Sequence, residues 1–275
     1  MRRAAYSEQQ TTIGLIGFGR IGRRIAERLA GNTAGPKLIT VLVRPDQESK
    51  TETALGQAQV CTSLDAFIAN RPEVAVECAS SQAFIRYVDP ILAAGIDLIP
   101  LSLAALADKD VEAHVMGAAD RGPGRLEIPA GAMGSLDILA AAREDTLSHV
   151  RFLAAYPVER WRGTAAETII NLDAIADRTT FYRGSVRDIA RLFPRHVNVG
   201  VGVGLAGLGL DRTDAELIAD PNSSQAEFGV DIAAGPGAVV LRVFGREVPP
   251  GADPADYTAF SILRLLRRRQ ANVMI

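Results

Sequence analysis

Thr12-Ile13-Gly14-Leu15-Ile16-Gly17-Phe18-Gly19-Arg20-Ile21-Gly22 is the stretch on which the fold turns. Ile13–Gly17 is a short apolar run that stops at glycine, and Arg20–Ala30 then carries apolar residues at helical spacing. A strand running through Gly-x-Gly-x-x-Gly into a helix is the arrangement that a dinucleotide pyrophosphate needs. Gly17 permits the tight turn, Gly19 removes a side chain that would block the phosphates, and Gly22 lets the helix pack close to the strand. The helix start adds unpaired N–H groups and the positive end of its dipole. Gly17, Gly19, Arg20, Ile21 and Gly22 are therefore the expected pyrophosphate site.

Outward from this turn, strand-like and helix-like segments alternate. Leu38–Val43 is a β-branched run of the kind buried on both faces of a sheet, and Val74–Cys78 and Asp97–Leu101 follow as strands. Ser63–Ala69 (with Ser63 as N-cap) and Gln82–Ala94 (ended by Gly95) read as the helices between them. Strands separated by helices predict a parallel sheet with right-handed crossovers. After Gly122-Pro123-Gly124 the rhythm changes. Leu126–Pro129 reads as a strand leading into Ala130–Ser135, then Leu136–Arg143 as a helix and Val150–Tyr156 as a strand. Gly163–Ile170 and Ser185–Phe193 open helices, and Glu227–Ile232 and Ala238–Phe244 are strands around Gly235-Pro236-Gly237. The expected fold class is α/β: an N-terminal Rossmann domain with a doubly wound parallel sheet (1–130) and a second, α+β domain (131–255). A C-terminal helix over Tyr257–Arg269 lies within 256–275.

The tip of the second strand bears on the ribose. NAD sites usually place an acid there, whereas this chain reads Val43-Arg44-Pro45-Asp46. Arg44 can pair bidentately with a 2′-phosphate, which makes NADP the expected cofactor. The other reading keeps Arg44 solvated and gives the ribose of NAD to Asp46.

Composition narrows the remainder. The chain has 275 residues, 48% apolar and 23% charged, with a net charge of −2, so nothing points to nucleic acid. The basic run 264–269 reads as a helix end that favours cations. Two cysteines, Cys61 and Cys78, sit in strand-like surroundings and suit a reducing cytoplasm. Neither they nor His114, His149 and His196 have the spacing of a metal site. No apolar stretch precedes Thr11 and no run reaches the roughly 18 residues of a membrane span. A cytoplasmic protein without membrane, metal or nucleic-acid partners is expected.

Several segments together resemble the L-aspartate dehydrogenase family: GLIGFGRIG (14–22), VECAS (76–80), LSLAALAD (101–108), IPAGAMGSLD (128–137), RWRGTAAE (160–167), FPRHVNVGVGVGLAGLGLDRT (193–213) and LIADP (217–221). The resemblance implies hydride exchange between NAD(P) and an amino or imino acid, a second domain carrying the substrate site and the contacts of a homodimer, and a C-terminal helix packed back on the first domain. It places Ala79 and Ser80 on the nicotinamide side of the cofactor, and Ala132 and Asn198 at its nicotinamide end.

The departures from the family cluster on the substrate side. The family's catalytic histidine, in Asn-x-His, is matched by Ala226 and Phe228; its Lys-Pro-Pro by Tyr156-Pro157-Val158; its Ser-Gly-Ala by Ala130-Gly131-Ala132; its Asn-x-Asn by His196-Val197-Asn198. A buried carboxylate needs cations or several donors, so aspartate and a less acidic imine or keto substrate both stay open. His196, the one histidine inside a family site motif, is the candidate acid/base, with Tyr156 and Glu227 as weaker alternatives. The alternative to a dehydrogenase is a regulatory protein that binds the cofactor and has lost catalysis.

Overall fold

The computed structural model describes residues 10–31, 34–134, 136–245 and 257–273. Ser135, residues 1–9 and both ends of the helix expected over 256–275 lie outside them. The chain forms two compact units. One comprises Met1–Leu101, Met116–Pro129 and Ala259–Ile275, the other Ser102–Val115 and Ala130–Thr258.

The first unit alternates β1 (Thr12–Ile16), α1 (Arg20–Ala30), β2 (Lys37–Leu42), α2 (Glu48–Ala54), β3 (Gln59–Cys61), α3 (Leu64–Ala69), β4 (Val74–Glu77), α4 (Ser81–Ala93) and β5 (Asp97–Pro100), with α5 (Lys109–Arg121) beginning in the other unit. Its sheet has the order β3-β2-β1-β4-β5, and every pair is parallel. The central strands are mostly apolar because both faces are covered: Ile13, Leu15, Val74 and Val76 have no exposure. Gly14 belongs to this packing, since a Cβ there would stand 2.4 Å from the Phe67 ring of α3. On α1, Gly22, Ile25, Ala26 and Leu29 form the buried stripe. The C-terminal helix joins the same core through Ala259, Ile262, Leu263, Leu265 and Leu266. Burying each of its larger side chains contributes about 1.5–3 kcal/mol. Arg269 holds the helix end, donating to Asp97 and Glu127 at 2.6 Å each.

Leu126–Pro129 does not form the strand expected from its sequence. Leu126 makes an isolated parallel bridge to Leu98, and Pro129, without an N–H, cannot extend a ladder.

The second unit contains α6 (Leu136–Ala142), β6 (Leu147–Pro157), α7 (Ala166–Ile169), β7 (Thr179–Ser185), α8 (Val186–Leu192), α9 (Asn198–Ala206), β8 (Asp214–Asp220), β9 (Glu227–Ala234) and β10 (Gly237–Phe244), and α10 (Tyr257–Arg268) follows. The sheet order is β10-β9-β6-β8-β7. β6 and β8 run parallel and the other pairs are antiparallel. The helix expected over Gly163–Ile170 shrinks to the single turn α7, because Gly163 sits at φ +68° and breaks the helical path. α8 starts with a capping box in which Ser185 and Asp188 satisfy each other's backbone N–H groups. α9 is glycine-rich, and Gly200 is required: a Cβ there would stand 2.8 Å from the Phe152 ring of β6. One sheet face carries a charged row from β7 to β10. Arg183 and Arg151 both reach Glu216 at 3.3 Å, Arg151 also pairs with Asp231, and Asp231 accepts from Arg242 at 2.6 Å.

Ser102–Val115, which the sequence reading assigns to the first domain, belongs to this unit. Its 3₁₀ turn Leu103–Ala107 is bonded by Asn198 and Arg187. Arg187 is 4% exposed; it donates to the Leu106 and Ala107 carbonyls and pairs with Glu112 and Asp211.

Candidate active site

The glycine turn leaves β1 with Gly17 at φ +95°, a conformation that favours glycine. Its N–H donates to the Leu42 carbonyl at 2.8 Å, fixing the turn beside the end of β2. A Cβ on Gly17 would meet Ala79 Cβ at 2.8 Å, and one on Gly22 would meet the Gly17 carbonyl oxygen at 2.7 Å. Gly19 differs, because nothing lies within 4 Å of its would-be Cβ. Two glycines are thus enforced by packing, and the third borders open space at the N-terminus of α1. The first turn of that helix holds no acid, and Gly19 supplies no side-chain cap. Arg20 is exposed and Ile21 half-buried at this end. These features fit a dinucleotide pyrophosphate.

The opposite wall of the turn comes from the end of β4. Glu77 has no exposure, and one carboxylate oxygen accepts from the N–H groups of Ala79 at 2.8 Å and Ser80 at 2.9 Å. Ser80 then caps α4 by accepting from the Ala83 N–H. Glu77 therefore shapes the Ala79-Ser80 bend against Gly17. Its one signal in the sequence is an acid inside the apolar run before Cys78-Ala79-Ser80, which local pattern alone does not distinguish from a solvated strand end. The Cys78 thiol donates to the Gly17 carbonyl at 3.2 Å, and burial pushes its pKa up, so it packs and does not react. Arg44 and Asp46, the alternative ribose partners, pair with each other at 3.3 Å on the exposed end of β2.

In the second unit, His196 is half-buried just before α9. Its ring stacks on Trp161 with centroids 5.2 Å apart and meets Tyr156 edge-on at 5.5 Å. Nε2 lies 3.1 Å from the Arg160 carbonyl oxygen. A carbonyl can only accept, so Nε2 carries the hydrogen and Nδ1 keeps the lone pair of the neutral ring. Burial, with the charges of Arg160 and Arg195, lowers its pKa below the ordinary imidazole value and favours that neutral form.

The weaker acid/base candidates are otherwise engaged. The Tyr156 hydroxyl donates to the His196 carbonyl at 3.0 Å, and its burial raises the phenol pKa. Glu227 is ion-paired with Arg178 at 2.7 Å. Phe228 stacks near Phe152 and stands edge-on to Tyr156 at 5.7 Å. Positions 156, 196 and 228, where the chain departs from its family pattern, thus converge on one aromatic cluster.

Asn198 Oδ1 accepts from the Ala104 N–H at 2.8 Å, which orients its amide. Ala132 lies in a half-buried turn after Gly131, whose would-be Cβ approaches Val199 of α9 at 3.4 Å. His196, Asn198 and Ala132 therefore gather around the start of α9. The expected residues 17, 19–22, 79 and 80 gather around the glycine turn. Among the described residues, no group of three His, Cys, Asp or Glu side chains is arranged to hold a metal. None of their helices is long and apolar enough to cross a membrane.

Residues 137–269 match the family described as aspartate dehydrogenase, C-terminal. Residues 17–129 match that of the homoserine dehydrogenase NAD binding domain. The chain is 35% identical to the L-aspartate dehydrogenase of Cupriavidus necator over 96% of its own length and 99% of that protein's. With the L-aspartate dehydrogenase of Pseudomonas aeruginosa it shares 34% identity over 92% and 96%. The crystal structure of aspartate dehydrogenase from Thermotoga maritima matches with a TM-score of 0.77 over 97% of this chain and 100% of that one. At 23% identity that likeness concerns the fold.

Proposed function

This chain belongs to the L-aspartate dehydrogenase family, and on that premise we propose that it reduces an imine or keto substrate with NADPH, using His196 as the acid/base. It is an NAD(P)-dependent oxidoreductase. The observation that carries the cofactor part is the open space over Gly19 between two glycines that packing enforces. Gly17, Gly19, Arg20, Ile21 and Gly22 hold the pyrophosphate, with Ala79 and Ser80 beside it, and Ala132 and Asn198 serve the nicotinamide end. Arg44 turns from Asp46 to the 2′-phosphate, which its planar fork matches. Bound nicotinamide supplies or accepts the hydride. His196, neutral and with Nδ1 available, takes a proton during substrate oxidation and returns it during reduction. Tyr156 and Trp161 hold its ring, and the Arg160 carbonyl fixes its tautomer.

The test is NADPH and NADH oxidation with ammonia and a panel of keto acids, ketones and aldehydes that includes oxaloacetate. NADPH is expected to be preferred, and Arg44→Ala to raise the KM for NADPH far more than for NADH. His196→Ala is expected to lower kcat by about 10²-fold or more. The titration of His196 in kcat/KM should fall below about pH 6.5, with activity by the basic form lost as the pH drops through it. Cofactor binding without turnover of any substrate would overturn the enzymatic reading in favour of a regulatory one.

The protein also acts as a homodimer through its second unit. Val240 and Phe244, on β10 beside the charged row, are 67% and 60% exposed, an apolar edge that a second copy would cover. Sedimentation equilibrium should give twice the chain mass, and a monomer at all concentrations would refute the dimer.

A further inference from the structure

Most of the described arginines of the second unit are engaged. Arg151, Arg178, Arg183 and Arg242 belong to the acid lattice of the sheet, Arg162 pairs with Glu159 and Asp173, and Arg187 with Glu112 and Asp211. Arg143 and Arg191 donate to carbonyls. Among the described residues, no carboxylate or carbonyl partner stands at Arg160, Arg195 or Arg212. Two of these flank His196. Arg195 precedes it in the chain, and Arg160 accepts its Nε2–H through the backbone carbonyl at 3.1 Å. Both side chains are exposed, and both charges act on the His196 ring. The His196 ring between them stacks on Trp161 and meets Tyr156 edge-on.

Two arginines that flank the candidate acid/base and have no counter-charge among the described residues are complementary to an anion. The planar guanidinium matches a carboxylate bidentately. Loss of the family's lysine at the Tyr156-Pro157-Val158 segment need not make the site neutral, because Arg160 follows in the same turn, Val158–Trp161. Resting on the reading of this site as a dehydrogenase centre, we propose that Arg160, assisted by Arg195, is the specificity-determining cation that anchors a substrate carboxylate beside His196. The oxo- or imino-acid substrate class of the family is then retained here by an arginine of this chain's own, and neutral ketones, aldehydes and simple imines are discriminated against.

The test uses the full chain saturated with NADPH. KM and kcat are measured with ammonia and oxaloacetate, 2-oxobutyrate or neutral butanone for the wild type, Arg160→Gln, Arg160→Lys, Arg195→Gln and the control Arg212→Gln. Loss of one charge-assisted contact should raise KM for the oxo acids about tenfold or more in Arg160→Gln, with kcat nearly unchanged. Arg160→Lys should recover part of that loss, Arg195→Gln should show a smaller rise, and Arg212→Gln none. Butanone should be a poor substrate throughout. An oxo-acid KM that stays within about twofold in the Arg160→Gln/Arg195→Gln double variant would overturn the inference. Calorimetric titration with succinate, which has carboxylates and no reacting carbonyl, separates this inference from the proposed function. If the wild type turns over nothing, the function fails, while succinate binding that is lost in Arg160→Gln still supports the anchor. Equal binding by both proteins, or none by the wild type, overturns it.

Discussion

Replacing Arg187 with methionine is expected to cost about 3 kcal/mol or more of folding stability, at the scale of a broken buried ion pair. The side chain is 4% exposed and carries two kinds of contact at once. Its guanidinium donates to Asp211 at 2.6 and 3.0 Å, to Glu112 at 2.7 Å, and to the Leu106 and Ala107 carbonyls at 3.0 and 3.2 Å. Methionine fills much of the volume but takes the guanidinium donor from the Leu106 carbonyl, in surroundings where Leu106 has no exposure, and leaves the Ala107 carbonyl to Arg191 alone. Asp211 and Glu112 retain some access to solvent, which limits the loss. Urea unfolding should show a lower midpoint at an unchanged slope. Arg187→Lys should fall between, because an ammonium keeps the charge but not the fork. A loss below about 1 kcal/mol would mean that water replaces the guanidinium.

The same ion pair sets a pH dependence. Arg187 holds the Asp211 carboxyl below its ordinary pKa. Its contribution is therefore complete above the unfolded value of about 4 and is lost as the pH falls through the lowered folded value. Arg187→Met should flatten the acid limb of the stability curve.

Gly17→Ala and Gly19→Ala should separate folding from binding, although they lie two residues apart. Alanine at 17 must adopt φ +95° and place its Cβ 2.8 Å from Ala79 Cβ and 2.9 Å from Ala79 Cα. The chain has to shift, at a cost of about 1–3 kcal/mol, and the turn deforms with it. Both stability and dinucleotide binding should fall. At 19 the added methyl meets nothing within 4 Å and the backbone is extended, with φ −78°. Stability should then change by less than about 1 kcal/mol, the scale of an N-cap exchange. NADPH affinity should nevertheless fall by about tenfold or more, because that methyl occupies the space the pyrophosphate needs. Calorimetric unfolding and NADPH titration of both variants provide the check. Unchanged NADPH affinity in Gly19→Ala would remove the pyrophosphate from this turn.

These predictions differ in how far they could be read before the fold was known. The glycine turn, the parallel strands on either side of it and the buried stripe of α1 follow from residues close together in the chain. There the apolar period, the strand-to-helix change and the glycine spacing all describe one local object, so the amino-acid order alone determined a Rossmann unit. It also determined the family, since the matching segments recur in order over most of the chain.

The second unit depended on partners distant in sequence. Asp214–Asp220 gave little warning that it would run parallel to β6, because the pairing is decided by what covers each face. Asn198–Ala206, with glycine at 200, 202 and 204, is poor helix sequence whose glycine at 200 only the fold explains, because the Phe152 ring leaves no room for a Cβ there. Leu126–Pro129 had strand composition but only one residue's room to pair. His196 was legible as a candidate; the Arg160 carbonyl that sets its tautomer was not. Arg187 and Arg160 look alike in the sequence. Tertiary structure alone decided that one is buried among acids and carbonyls while the other, among the described residues, stands without a counter-charge next to His196, because a charge's role is set by which groups solvate it after folding.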